Sequence, residues 1–175
     1  VAHARQAVAG DVLANILGQG ESSRLYQHVL QEKSLVYSIN AYNYTPIDNG
    51  IFGIEATLDG VNLDLTKQAV SHDIELIKKK GVSYKELNKA KKQVESDYIF
   101  NNQTTSSVAY SRATDEAFTG DFNFSLNYVE EIKKVTMADI TRVAKKYLID
   151  SNQTMVVLKP QQPSIPSDVQ KTAYL

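Results

Sequence analysis

The chain has 175 residues, with 19 Lys plus Arg against 20 Asp plus Glu, three histidines and no cysteine. A domain of this length buries roughly 70% of the surface its unfolded form exposes, so one core suffices. A formal charge of −1 gives no general attraction to a polyanion and argues against nucleic acid as a partner. The lack of cysteine excludes disulfides, thiolate zinc sites, iron–sulfur ligation and a cysteine nucleophile. His3, His28 and His72 stand 25 and 44 positions apart, so no pair has the short spacing with which one helix supplies two zinc ligands. No apolar run approaches the ~20 residues that span a bilayer, and no membrane span is expected in this chain.

From Gln6 to Leu17 the residues Val8, Val12, Leu13, Ile16 and Leu17 form one stripe of helical period, which Gly18 and Gly20 stop. Ser22 and Ser23 are suited to cap a second, short helix that groups Leu25, Tyr26, Val29 and Leu30 on one face. Arg24, His28 and Gln31 fall opposite, so Arg24 is expected to be presented rather than packed. Leu35 to Tyr44 and Ile51 to Leu58 read as strands, the second alternating cleanly, with Pro46, Asp48, Asn49 and Gly50 as the turn of an antiparallel hairpin.

The period then changes. Leu63 to Lys80 is a helix ending in three lysines before Gly81. Val82, Ser83, Glu86 and Leu87 combine a capping box with a hydrophobic staple, and Val135, Thr136, Asp139 and Ile140 repeat the device. Between them lie a polar break at 101–107, a helix with Ala109, Ala113 and Ala117, a turn at Gly120, and a helix with Leu126, Val129 and Ile132. A last strand is expected at Thr154–Leu158, and residues 161–175 read as a linker or tail. The order predicts an α+β fold with a small, mostly antiparallel sheet covered by helices.

Local signals are modest. The Gly18, Gly20, Ser23 string follows a helix instead of a strand and lacks the third glycine of a dinucleotide site. Lysine runs at 78–80, 133–134 and 145–146 sit beside acidic residues on helices and read as solvated faces. Tyr37 shares a strand face with Leu35, Ile39 and Ala41 by alternation, which fits a core tyrosine with a rim partner for its hydroxyl. Arg24 and Tyr37 are nonetheless donors on adjacent elements that could converge on a carbonyl oxygen.

The stretch Leu17-Gly18-Gln19-Gly20-Glu21-Ser22-Ser23-Arg24-Leu25-Tyr26, continuing to Leu35-Val36-Tyr37-Ser38, resembles the hallmark of the zinc-free domain of M16 peptidases, the family of pitrilysin, insulinase and mitochondrial processing peptidase. Val135 to Leu148 is similar to that family's closing helix, and Val156 to Pro160 to its last strand. The resemblance covers about residues 8 to 160. It implies an M16 metallopeptidase-like domain over 1–160, short of its N-terminal strands, and a tail over 161–175. Ser34 stands where the family often has glycine.

What the resemblance implies is a non-catalytic, substrate-binding half. The family's H-x-x-E-H motif is absent, so zinc is expected in a partner M16 domain or subunit, with no metal ligand and no catalytic residue in this chain. There a zinc-bound water attacks the scissile carbonyl of a peptide substrate enclosed between the halves. Arg24 and Tyr37 match the family's arginine and tyrosine that reach across the chamber, Arg24 toward peptide carbonyls and Tyr37 toward the scissile oxygen. A non-enzymatic core subunit or peptide-binding scaffold of the same fold is the alternative.

Overall fold

The computed structural model describes residues 2–45 and 50–160. The described residues form α1 (Ala2–Gly18), β1 (Ser38–Tyr44), β2 (Ile51–Thr57), α2 (Leu63–Lys80), α3 (Tyr84–Asn101), α4 (Thr105–Thr119), α5 (Phe124–Lys134) and α6 (Met137–Tyr147). A short π-helical segment, Tyr26–Glu32, joins α1 to β1. The turn expected at Pro46, Asp48 and Asn49 and the tail expected at 161–175 lie outside the described residues.

Helix α1 is the centre of the molecule. Its sequence spacing predicts one apolar stripe, yet Ala9, Ala14 and Asn15 are buried along with Val8, Val12, Leu13, Ile16 and Leu17. The cause is position, since β1 packs against α1, as do α3, α5 and α6. A helix covered on every side has no need of a polar face. At its end Gly18 passes directly over β1, where a Cβ would lie 2.3 Å from the Ala41 amide nitrogen and 2.6 Å from the Ala41 Cβ. Only a residue without a side chain allows that approach.

The sheet is a two-stranded antiparallel ladder running from Ser38↔Thr57 to Tyr44↔Ile51. Ile39 and Ala41 turn inward and are buried, while Phe52, Ile54 and Leu58 pack against the core from β2 and its exit. The ladder starts at Ser38 instead of Leu35 because the Leu35 amide is bonded back to the Val29 carbonyl at 3.1 Å. That bond closes the π-helical segment and withholds Leu35 from pairing. The expected last strand is not formed: Thr154–Leu158 lies in a stretch without regular structure, with Met155, Val156, Val157 and Leu158 exposed. A strand needs a neighbour to complete its hydrogen bonds, and neither β1 nor β2 pairs with this segment.

The helical layer follows its local signals closely. α2 keeps the predicted bounds and stops at Gly81, whose φ of 74° lets its amide return to the Ile77 carbonyl at 2.9 Å. Both predicted capping boxes are present, and the staple pairs Val82 with Leu87 and Val135 with Ile140 are buried. A third box opens α4, with Thr104 as cap and Ser107 answering it. A serine in the place usually held by Glu or Gln hid it among the polar residues of 101–107. α4 leans on α5, where the buried Asp115 accepts from the Ser125 amide at 3.0 Å and the Ser125 hydroxyl at 2.6 Å. No helix among the described residues is long and apolar enough to cross a membrane.

Candidate functional site

The segment from Gly20 to Ser38 carries both residues singled out from the sequence. Ser23 is buried, and its hydroxyl donates to the Gly20 carbonyl at 2.7 Å, so it closes the preceding turn and does not cap with its side chain. Leu25 and Val29 then anchor the π-helical segment in the core. A π-helical turn spreads the side chains of a helix and is enriched at functional sites. Ser34 ends the segment with φ of 50°, a left-handed conformation that glycine adopts without cost. This is the position at which the family resemblance leads one to expect glycine.

Arg24 is packed, contrary to the expectation of a presented cation. Its Nε donates to Glu86 Oε1 at 2.6 Å, and its Nη2 donates to Glu86 Oε2 at 3.1 Å and to the Gly81 carbonyl at 3.2 Å. The side chain is 17% exposed. Burial alone would raise the Glu86 carboxyl, but the bonds from Arg24 and from Ser83, together with the Arg24 charge, outweigh it and hold the group down to about 2. Glu86 thus completes the α3 capping box and clamps Arg24 at once.

Tyr37 is displayed where alternation suggests a core residue. It is 68% exposed because it precedes the ladder in a bend, and Val36 takes the buried place beside it. Its amide donates to the Thr57 carbonyl at 2.7 Å, and its hydroxyl donates to Asp59 Oδ2 at 2.7 Å. The hydrogen bond to Asp59, then the charge of Asp59, push the phenol above its ordinary range.

The two residues do not converge. Arg24 is tied beyond the C-terminal end of α2, at Gly81, whereas Tyr37 is tied before its N-terminal end, at Asp59. α2 has 18 residues and is about 27 Å long. A single carbonyl oxygen cannot meet both side chains in this arrangement. An open recess between the approach to β1 and α2 is lined by Lys33, Leu35, Leu65, Gln68, Ala69 and His72.

Two polar anchors escape a reading of the sequence. His28 meets Asp73 through Nδ1 and Oδ1 at 2.8 Å, fixing the π-helical segment to α2, and the other oxygen of the buried Asp73 has no hydrogen-bond partner. Asp11 of α1 accepts from Asn43 at 2.8 Å and from the Tyr128 hydroxyl at 2.6 Å, joining α1, β1 and α5. Burial raises the Asp11 carboxyl despite both bonds, and it pushes the Tyr128 phenol far up. Neither contact has a local spacing signal, because its partners are far apart in the chain. Of the lysine runs, Lys133 and Lys134 are exposed and pair with Glu130 and Glu131 three residues earlier, as expected of a solvated face, whereas Lys78 is largely packed while pairing with Glu75.

Among the described residues no group of three or more His, Cys, Asp or Glu side chains could hold an ion.

The profile of the Peptidase M16 inactive domain matches residues 2–94. The chain belongs to the M16 peptidase family, in its inactive domain. A zinc protease of Helicobacter pylori named PqqE is 31% identical over an alignment of 157 residues that covers 87% of this chain and 34% of that protein. Subunit alpha-2 of the mitochondrial-processing peptidase of Dictyostelium discoideum is 30% identical, covering 81% of this chain and 31% of its own. The crystal structure of an inactive peptidase domain from Bordetella parapertussis superposes with a TM-score of 0.75 over 92% of this chain and 88% of that one, at 23% identity, and supports the fold. This M16 inactive domain therefore spans about a third of the length of the curated relatives it matches. The α+β reading, with its small antiparallel sheet under helices, agrees with both structure and family.

Proposed function

We propose that this M16 inactive domain is the substrate-enclosing half of a zinc metallopeptidase. It holds and orients a peptide for hydrolysis at a zinc site in another domain or subunit. The observation that carries the reading is Tyr37: an aromatic side chain 68% exposed on the family's characteristic segment, with its backbone bonded into the sheet. An exposed, rigidly mounted tyrosine offers apolar area and a polar tip to a partner at little entropic cost. The kinship with proteins named zinc proteases supports zinc chemistry in the whole assembly.

Arg24 takes a different part from the one its chemistry first suggests. Its guanidinium would reach peptide only by leaving Glu86, so its role is to position: it pins the start of the π-helical segment to the α2–α3 turn, and that segment delivers Tyr37. His28 and Asp73 hold the same segment at its middle.

The test is peptide hydrolysis by the zinc-bearing half measured with and without this domain, with zinc content followed in both. The reading predicts that adding the domain lowers KM and leaves zinc content unchanged. Equal turnover in both preparations would contradict it and point to a purely structural subunit.

A further inference from the structure

Alone among the described α-helices, α4 buries no apolar residue. Its one buried side chain is Asp115, tied to Ser125 at the start of α5, and Arg112 Nη1 donates to the Phe122 carbonyl at 3.1 Å. No residue of α4 belongs to the apolar core, and α5 is the element it leans on. A helix of 15 residues is marginal by itself, because most helical stability in proteins comes from packing an apolar face. α4 has such a face and holds it in solvent.

Tyr110, Ala113 and Ala117 follow at i, i+3 and i+7 on one side of α4, and all three are exposed. Phe118 closes the helix. The Arg112 guanidinium lies 5.5 Å from the centre of the Phe122 ring, which brings the turn back alongside α4. Val108, Tyr110, Phe118, Phe122 and Phe124 are between 38% and 76% exposed. At roughly 150–250 Å² for each aromatic side chain, they leave on the order of 500 Å² of apolar surface in solvent. One side of a standard interface covers about 800 Å², of which roughly 60% is apolar, so this surface is the size that one partner contributes.

The charge around it has one sign. Between Lys92 and Lys133 the chain has seven acidic residues and one basic residue, Arg112, although the whole chain stands at −1. Arg112 faces the buried Asp115 at 3.7 Å, whereas Glu116 on α4 and Asp121 in the turn are exposed. A solvated helix face mixes lysine with glutamate, but this one is apolar with an acidic rim. The complementary surface is apolar with a basic rim. A second copy of this chain would bring the same acidic rim against itself, which disfavours self-pairing.

We propose that α4 and the turn after it form the docking surface for the zinc-bearing half of the peptidase, which meets them with an apolar patch rimmed by lysine or arginine. The inference rests on the reading of this domain as one half of such an enzyme. Docking supplies α4 with the apolar packing that the domain itself does not give it.

The chain has no cysteine, so one introduced thiol reports on one place. Ala117→Cys puts it on the exposed face of α4, and its rate of modification by a maleimide is measured in the full chain and in the assembled peptidase. Assembly is expected to slow the reaction about 10-fold or more, since the thiol must wait for the interface to open. Adding Glu116→Lys, or Tyr110→Ala with Phe118→Ala, should return the assembled rate toward that of the chain, with the chain's own unfolding midpoint unchanged. Raising the salt concentration should act in the same direction as Glu116→Lys. Equal rates in chain and assembly, while the two halves still elute together on size exclusion, would overturn the docking surface and leave the proposed function standing. A rate in the chain by itself that falls with its concentration would assign the face to a second copy instead. Protection that Glu116→Lys and salt both leave intact would overturn the basic rim. Failure of the halves to associate at all would remove the proposed function and this inference together.

Discussion

Arg24 and Glu86, 62 positions apart, meet as a two-point fork, with Nε 2.6 Å from Oε1 and Nη2 3.1 Å from Oε2. The fork joins the π-helical segment to the N-terminus of α3, and planar two-point pairing of this kind is what arginine does better than lysine. Arg24→Ala is expected to cost about 1–3 kcal/mol, because it leaves a partly buried carboxylate without its main partner. Glu86→Ala should cost more, since it also dissolves the α3 capping box. Urea titrations of both variants check the order.

The same pair makes stability depend on acid. Glu86 is lowered from 4.5 to about 2, so its contribution is complete above about pH 4.5 and disappears as pH falls toward 2. The full shift corresponds to about 3 kcal/mol, which solvent screening of a side chain 31% exposed reduces to about 1–2 kcal/mol. Glu86→Gln should flatten the stability profile over this range, and denaturation midpoints between pH 5 and 2.5 read it directly.

Asp11 has the opposite sign. Burial raises its carboxyl above the usual 3.8, so the folded state binds the proton more readily than the unfolded one. Protonation of Asp11 therefore adds stability as pH falls through its folded value, and that gain is lost as pH rises. Asp11→Asn removes the gain, and its stability should fall more steeply than that of the wild type as pH is lowered from 6 to 3.

Backbone positions give two further expectations with opposite outcomes. Gly18→Ala forces a methyl group into the Ala41 backbone and should cost about 2–3 kcal/mol. Ser34→Gly relieves a left-handed residue at φ of 50°, and after the greater entropy of glycine in the unfolded chain it should gain about 0.5 kcal/mol. Thermal and urea midpoints for the two variants suffice.

The parts of the fold legible in the sequence are those governed by neighbours in the chain. Ser83 with Glu86 and Thr136 with Asp139 declare their helices, and Gly81 declares the end of α2, because caps act within one turn. The failures share a cause. α1 reads as a striped surface helix because its spacing says nothing of the elements that cover its other side. Thr154–Leu158 reads as a strand because its composition is strand-like, although a ladder is made by a partner. Tyr37 reads as buried because alternation assumes the strand begins at Leu35, and a π-helical closure moved that start by three residues. Arg24 and Tyr37 are both recognisable from the segment they share, but their partners Glu86 and Asp59 come from distant turns, so the tethering of the two side chains is visible only in three dimensions.

The central claim, that this domain holds peptide through the Tyr37 end of the hairpin, is tested most directly by the equilibrium affinity of the assembled protein for a non-cleaved peptide analogue, wild type against Tyr37→Phe. The account predicts a Kd about 5-fold weaker in the variant, with unchanged zinc content and an unchanged unfolding midpoint. An identical Kd in the two proteins would contradict it.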